Sequence, residues 1–205
     1  VGWFSKKKKM EMHPDRVWAT SDRKMQAIVD MVKSEERIVV AAHFSESLER
    51  IQILLEGSGA KEVRSSMDIL RWMQGDFPKV GLMLIPNVIS ISVSPPQTEM
   101  LELLIAVCER HPSWIAEEQF MKWLEPFHGY MTYFESLDSP LLRVFGVERI
   151  KTLLGALGMS ESEAIEHKMV SNALENAQKK IAAKAIGHGP ARSAEEWFEN
   201  YFPRP

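Results

Sequence analysis

Apolar positions along the chain fall into short blocks that alternate between helical and strand spacing. In "SDRKMQAIVDMVKS" (21–34), Met25, Ile28, Val29 and Val32 recur at helical steps behind a Ser21 cap. "RIVVAAH" (37–43) is a compact run rich in branched residues, the pattern of a buried strand. "SESLERIQILLEG" (45–57) returns to a helix with Leu48, Ile51, Leu54 and Leu55 inward, ended by Gly57 and Gly59. A strand over 60–65, a short helix over 66–75 stopped by Gly75, and strands over 79–86 and 88–93 follow. "SPPQTEMLELLIAVCERH" opens with Ser94 and two prolines, which predicts a helix start, and Leu101, Leu104, Ile105 and Cys108 then share one helical face. Residues 113–124 suit another helix, and "GYMTYFE" (129–135) another strand. This rhythm over 20–135 predicts an α/β fold with a mostly parallel sheet, the strands near 38–42, 80–85 and 129–134 being joined by short helical crossovers.

The last third is helical in pattern. Ser139-Pro140 starts one helix, 147–157 form a second, and Ser160 with Glu163 makes a capping box for a third. In "EAIEHKMVSNALENAQKKIAAKAI" (163–186), Ile165, Met169, Ala173, Ala177, Ile181 and Ala185 recur in steps of four, with Val170 and Leu174 beside them. An amphipathic stripe of this kind buries itself on the body of its own chain or on a partner. The expectation is that Ile165, Met169, Ala173 and Ala177 are buried on the α/β body. Ile181 and Ala185 are expected at its edge, where a partner can continue the contact. "GHGP" ends the helix, and Ser193 with Glu196 caps a last short one. The expected organisation is a flexible basic tail (1–16), an α/β domain (17–146) and a helical extension (147–205).

Composition adds bounds. Apolar residues make up 45% and charged residues 26%, as in an ordinary globular protein. The net charge of −3 conceals an asymmetry, because Lys6, Lys7, Lys8 and Lys9 place four positive charges in the first ten residues and leave −7 for the rest. An acidic body argues against a broad nucleic-acid surface. With Trp3 and Phe4 beside them, the four lysines form a candidate contact to an anionic membrane, each worth about 1 kcal/mol near such a surface. The competing reading is a solvated tail. The N-terminal lysines are followed by "MEMHPDR" and no apolar core, unlike a signal peptide. No apolar run reaches the length of a transmembrane helix. Cys108 is the single cysteine, so no intramolecular disulfide or cysteine-rich zinc site is available. A reducing compartment follows most simply.

Candidate chemistry is sparse. His43 ends the first long strand beside Ser45 and Glu46, and ligands of α/β folds bind at carboxyl ends of strands. A hydrolase needs a nucleophile, base and orienting acid together, and no G-x-S-x-G turn occurs. The plainer reading of His43 is a polar residue at a strand end. Cys108 reads as a buried, inert thiol. The six histidines are scattered without H-E-x-x-H spacing, so no metal or other cofactor is expected.

The run "YFESLDSPLLRVFGVERIKTLLGALGMSESEAIEHKMVSNALENAQKKI" resembles one segment of the SecA preprotein translocase ATPases. The shared features are Ser136 after a strand, Leu141 to Gly146 ("LLRVFG"), Arg149-Ile150, Leu157-Gly158, Ile165 to Val170 ("IEHKMV") and Asn176 to Lys180 ("NAQKK"). "TSDRKMQAIVDMVKSEERIVVAAHFSESLERIQILLEGSGAKEV" is similar to the entry into that family's second RecA-like domain. The resemblance implies a RecA-like α/β fold followed by the start of a scaffold helix. It also implies a place in protein export, beside a motor that hydrolyses ATP between two RecA-like domains. The family's nucleotide machinery has no counterpart here. There is no G-x-x-x-x-G-K-[ST] loop, and the window 86–128, where glycine- and arginine-rich loops are expected, holds one arginine, Arg110, and no glycine.

The expectation is therefore a degenerate, non-catalytic interaction protein with a SecA-type motor or export component as partner, cytoplasmic or peripheral at the inner face of the membrane. Two alternatives remain: a subunit completing an ATPase site in trans, and an unrelated small enzyme using His43.

Overall fold

The computed structural model describes residues 9–90, 101–145 and 163–203. Their centre is a mostly parallel sheet. In chain order the elements begin with β1 (Met10–Met12), β2 (Arg16–Trp18), α1 (Ser21–Ser34), β3 (Ile38–Ala42) and α2 (Ser45–Leu54). Next come β4 (Lys61–Val63), α3 (Ser66–Met73), β5 (Val80–Leu84), α4 (Ile85–Val88), β6 (Leu103–Val107), α5 (Trp114–Leu124) and β7 (Gly129–Ser136). The last are α6 (Pro140–Phe145), β8 (Ile165–Glu166), α7 (Lys168–Ala182) and α8 (Ala194–Tyr201). The strand order is β4-β5-β3-β6-β7-β2-β8, with β1 also pairing β7. All described pairings are parallel except β2 with β8.

The central strands are covered on both faces. Ile38, Val40 and Ala42 of β3 face α1 and α2, against Ile28, Val32 and Ile51. Val39 and Ala41 face the opposite layer, with Trp72, Phe120 and Tyr133. A third apolar cluster joins Val17, Phe44, Leu137 and Leu141 to Leu174, Ile181 and Trp197, so the C-terminal helices pack on the sheet's end. The fold class is thus the expected one: a mostly parallel sheet flanked by helices, with a helical C-terminal section.

Several local expectations are corrected. Residues 103–107 are strand, not helix. Leu103, Ile105, Ala106 and Val107 are all fully buried, because a strand sandwiched between two layers carries no polar alternation and looks like a buried helix in sequence. Residues 85–88 form a helical turn with Pro86 near its start, which removes the first part of the strand expected over 88–93. Residues 91–93, the Ser94 start, the 147–157 helix and Ser160 lie outside the described residues. Met10–Met12 and Arg16–Trp18 are strands on β7, so the tail expected over 1–16 enters the sheet by Met10. Leu54 is exposed at 46%, while Leu48, Ile51 and Leu55 face inward.

Gly129 opens β7 at φ +143°, and an added Cβ would stand 2.0 Å from the Leu103 carbonyl oxygen. The close β6–β7 start therefore requires a glycine.

The stripe of 163–186 is also rearranged. Ile165 lies in β8, buried against Val17. The helix starts at Lys168, capped by His167, whose Nδ1 accepts from the Met169 N–H at 3.1 Å. Met169 is exposed at 65% and Ala173 is exposed as well, whereas Val170, Leu174, Ala177, Gln178 and Ile181 are buried. Steps of four overshoot a turn of 3.6 residues, so a strict i+4 row winds around the helix. The buried row runs 170, 174, 177, 181, closer to the true period. Ile181, expected at the edge, is fully buried, and Ala185 is partly buried.

Candidate functional site at the carboxyl ends of the strands

β3, β6 and β7 run parallel, so their carboxyl ends meet at one edge of the sheet. Each is followed by polar residues: His43 after β3, Glu109, Arg110 and His111 after β6, and Glu135 and Ser136 at the end of β7. All are buried. Parallel register brings these short polar runs together although they lie far apart in sequence.

Arg110 organises the cluster. Its Nε and Nη2 donate to the two carboxylate oxygens of Asp15 at 2.6 and 2.9 Å, and Nη1 donates to Gln178 Oε1 at 3.2 Å. The guanidinium lies 4.2 Å from the centre of the Tyr133 ring. Burial works to lower the Arg110 pKa, but the Asp15 carboxylate outweighs it and holds the group firmly protonated. Asp15 is fully buried, and its backbone N–H donates to Ser171 Oγ, which ties the β1–β2 turn to α7.

Glu117 of α5 is the second centre. Its Oε1 accepts from the His111 N–H at 2.6 Å and from Gln178 Nε2 at 3.1 Å, while Oε2 accepts from the Tyr133 hydroxyl. Burial raises its pKa, but His43, Arg110 and the Tyr133 hydroxyl together bring the carboxyl down to about 2. His43 Nε2 lies 3.4 Å from Glu117 Oε1, within ionic reach but without a hydrogen-bond partner of acceptable geometry. The rings of His111 and Phe120 stand edge-on to His43. Burial and the neighbouring His43 lower His111 to about 3, and Phe44 and Trp197 pack against its ring.

Beside this network lies a cavity of about 290 Å³, lined among others by Lys24, Arg50, Glu109, Glu135, Ser136 and Arg143. Burial pushes the Glu135 carboxyl up to about 7, and Lys24 opposes that rise. Cys108, next to Glu109 in the chain, is buried in the apolar layer under α1 and α2, and burial pushes its thiol far above the ordinary range.

His43 is thus at the strand end where it was expected, but enclosed by a carboxylate and rings at 4% exposure. Among the described residues no group of three His, Cys, Asp or Glu has the placement to hold a metal ion. Asp15, Glu109, Glu117, Glu135 and Gln178 were not singled out in the sequence. The polar run "CERH" directly after an apolar block was the available signal, hidden by assigning that block to a helix. Of the tail residues, Lys9 is exposed, and Trp3, Phe4, Lys6, Lys7 and Lys8 lie outside the described residues.

Fold and site define an α/β module whose carboxyl-end crevice is filled by its own ion pairs and closed by its C-terminal helices. No protein-family model matches the chain. Curated relatives do. The protein translocase subunit SecA of Solidesulfovibrio magneticus is 30% identical over 185 residues, 83% of this chain and 22% of that protein. The SecA subunit of Caldicellulosiruptor saccharolyticus is 29% identical over 188 residues, again 22% of its length. That of Chromohalobacter salexigens is 52% identical over a shorter stretch of 56 residues, 27% of this chain and 6% of the relative. Among solved structures, the C-terminal part of the Fun30 ATPase domain aligns over 78% of this chain and 54% of that one, with a TM-score of 0.39 and 11% identity, too distant to add to the fold described above.

The chain is related to the SecA family. It spans about a fifth of the length of the first two relatives. Among the described residues no helix is long and apolar enough to cross a membrane.

Proposed function

We propose that the chain is a non-catalytic SecA-like interaction module, accessory to protein export. The observation that carries this reading is the engagement of Arg110. It is the single arginine of the 86–128 window, and Asp15, Gln178 and Tyr133 hold it inside the protein at 3% exposure. Stabilising a transferred phosphoryl group needs a cation that reaches the nucleotide. Releasing Arg110 would leave Asp15 buried and uncompensated. The same point weighs against completion of an ATPase site in trans. A small enzyme built on His43 is disfavoured by the enclosure of that ring.

The partner is a SecA-type motor or another export component, and the module acts in the cytoplasm or peripherally at the inner face of the membrane. Trp3, Phe4 and Lys6 to Lys9 supply a weak, salt-sensitive contact to anionic lipid. The test uses purified chain with and without purified SecA. The expected result is direct association, altered translocation-coupled ATPase activity of SecA, and no magnesium-dependent phosphate release by the chain alone. Steady phosphate release by the chain, or no association and no effect on SecA, would overturn the reading.

A further inference from the structure

Two helices carry solvent faces of opposite charge. On α2, Glu46, Glu49 and Ile53 follow one another at steps of three and four, so they share one face. The Glu56 N–H donates to the Ile53 carbonyl at 3.2 Å, which sets Glu56 one turn further along the same row. All three glutamates are exposed. Ile53 stands among them at 72% exposure, a large apolar side chain with an acid before and after it. Arg50, on the same helix, is taken by Asp22 and Ser21. α7 shows the reverse. Lys168, Met169, Ala173 and Lys180 are all exposed, Met169 at 65%, on the side away from the buried row. Glu175, the one acid of that helix, is taken by Lys179. Among the described residues none of Glu46, Glu49, Glu56, Lys168 and Lys180 is in an ion pair. Within one molecule the two faces do not meet, because α2 packs on β3 and β5 and α7 packs on α5 and α6.

The spacing of the two rows matches. At a helical rise of about 1.5 Å per residue, Glu46 to Glu56 covers about 15 Å and Lys168 to Lys180 about 18 Å. Laid antiparallel, Glu56 comes to Lys168 and Glu46 to Lys180. Ile53 then falls between Met169 and Ala173, where the small alanine leaves room for it. In the parallel arrangement Ile53 would meet Asn176 instead, a polar neighbour. The apolar contact supplies burial, and the charges at the two ends set direction and register. Exposed ion pairs are worth little singly. Two helix faces also bury less than the roughly 800 Å² per partner of a standard interface. The contact is therefore weak and salt-sensitive.

We propose that the chain associates with a second copy of itself, the α2 face of one molecule lying antiparallel on the α7 face of the other. Each molecule carries both faces, so the same contact closes a two-fold pair or continues as a row. This association is independent of the export role, and its failure would leave that role untouched.

Analytical ultracentrifugation of the full chain, from about 10 to about 500 μM, tests the contact. The expected mean mass rises with concentration at about 50 mM salt and returns to that of the monomer by about 1 M, where the Debye length is about 3 Å. Glu49→Lys/Glu56→Lys and Lys168→Glu/Lys180→Glu should each be monomeric alone. Mixed, the two should associate again, because each restores the sign that the other lost. Glu11→Lys/Glu125→Lys makes the same change in net charge at exposed sites on β1 and at the end of α5, and should associate as the unaltered chain does. Ile53→Ser should weaken association about threefold to tenfold. Thermal melting checks that each variant is folded. Should a reversed variant unfold, the neutral forms Glu49→Gln/Glu56→Gln and Lys168→Gln/Lys180→Gln take its place, each expected to weaken association about tenfold. A monomer at every concentration, a mixture of folded reversed variants that stays monomeric, or undiminished association of either variant alone would overturn the proposal. So would a chain that stays monomeric while purified SecA binds it and loses that binding in a reversed variant, which would assign the faces to the motor instead.

Discussion

At the scale of single residues, the Asp15–Arg110 pair places two opposite charges out of reach of water. A buried ion pair is a poor source of net stability, but removing one member strands the other charge. Asp15→Asn should therefore lower unfolding free energy by about 3–5 kcal/mol in urea titrations. A loss under about 1 kcal/mol would mean that water reaches Arg110. The titrating groups give a pH profile. Glu117 falls to about 2 and His111 to about 3 in the folded protein, so both cost stability as acid protonates the unfolded chain below their ordinary values. Glu135 acts oppositely. With its folded value near 7 and its unfolded value near 4.5, it contributes stability below 4.5 that is lost as pH rises to 7. Between pH 4.5 and 6.5 the losses from Glu135 offset the gains from His111. Thermal melting should thus be nearly flat in that window and fall steeply below it. Glu135→Gln should convert the flat window into a rise.

At the scale of elements, α7 shows how far a local pattern carries. Its existence and amphipathic character were legible, because apolar residues recur at helical spacing over four turns. Which face lies inward was misjudged: a row of i+4 positions includes Met169 and Ala173, which face solvent, and omits Gln178, which bonds Arg110 and Glu117. Leu174→Ala should cost about 2–5 kcal/mol, while Met169→Asp should change stability by no more than about 0.5 kcal/mol. Comparable losses for both would place Met169 on the inward face. β6 teaches the complementary lesson. "LLIAV" has no periodicity because both of its faces are covered, and the length and flanks of the run did not distinguish strand from helix.

At the scale of the whole molecule, the C-terminal segment closes the end of the sheet. α8 places Trp197, fully buried, against His111, with Phe44 in the same cluster. The Ile186 N–H donates to the Tyr201 carbonyl, and the Glu46 N–H donates to that of Arg192, which fastens this segment to the turn after α7 and to α2. Trp197→Ala should destabilise the whole protein by about 3–5 kcal/mol in a single cooperative transition. A separate low-temperature transition, leaving the sheet intact, would show instead that the segment folds independently. The same closure seals the histidine side of the crevice and leaves the cavity beside it.

The sequence by itself determined the alternation of strands and helices, the parallel α/β class and the kinship with SecA. These are local or contiguous properties: a buried face imposes its own period on the chain, and a shared motif is written in consecutive residues. It also identified His43 at a strand end and Arg110 as the one arginine of its window. Only the tertiary structure decided what those residues do. Asp15 and Arg110 are 95 positions apart, and Gln178 lies 68 beyond Arg110. Their meeting depends on β1 and β2 joining β7 and on α7 packing over the strand ends. No local pattern encodes that closure, because a buried polar residue and a solvated one look alike until the chain brings their partners together.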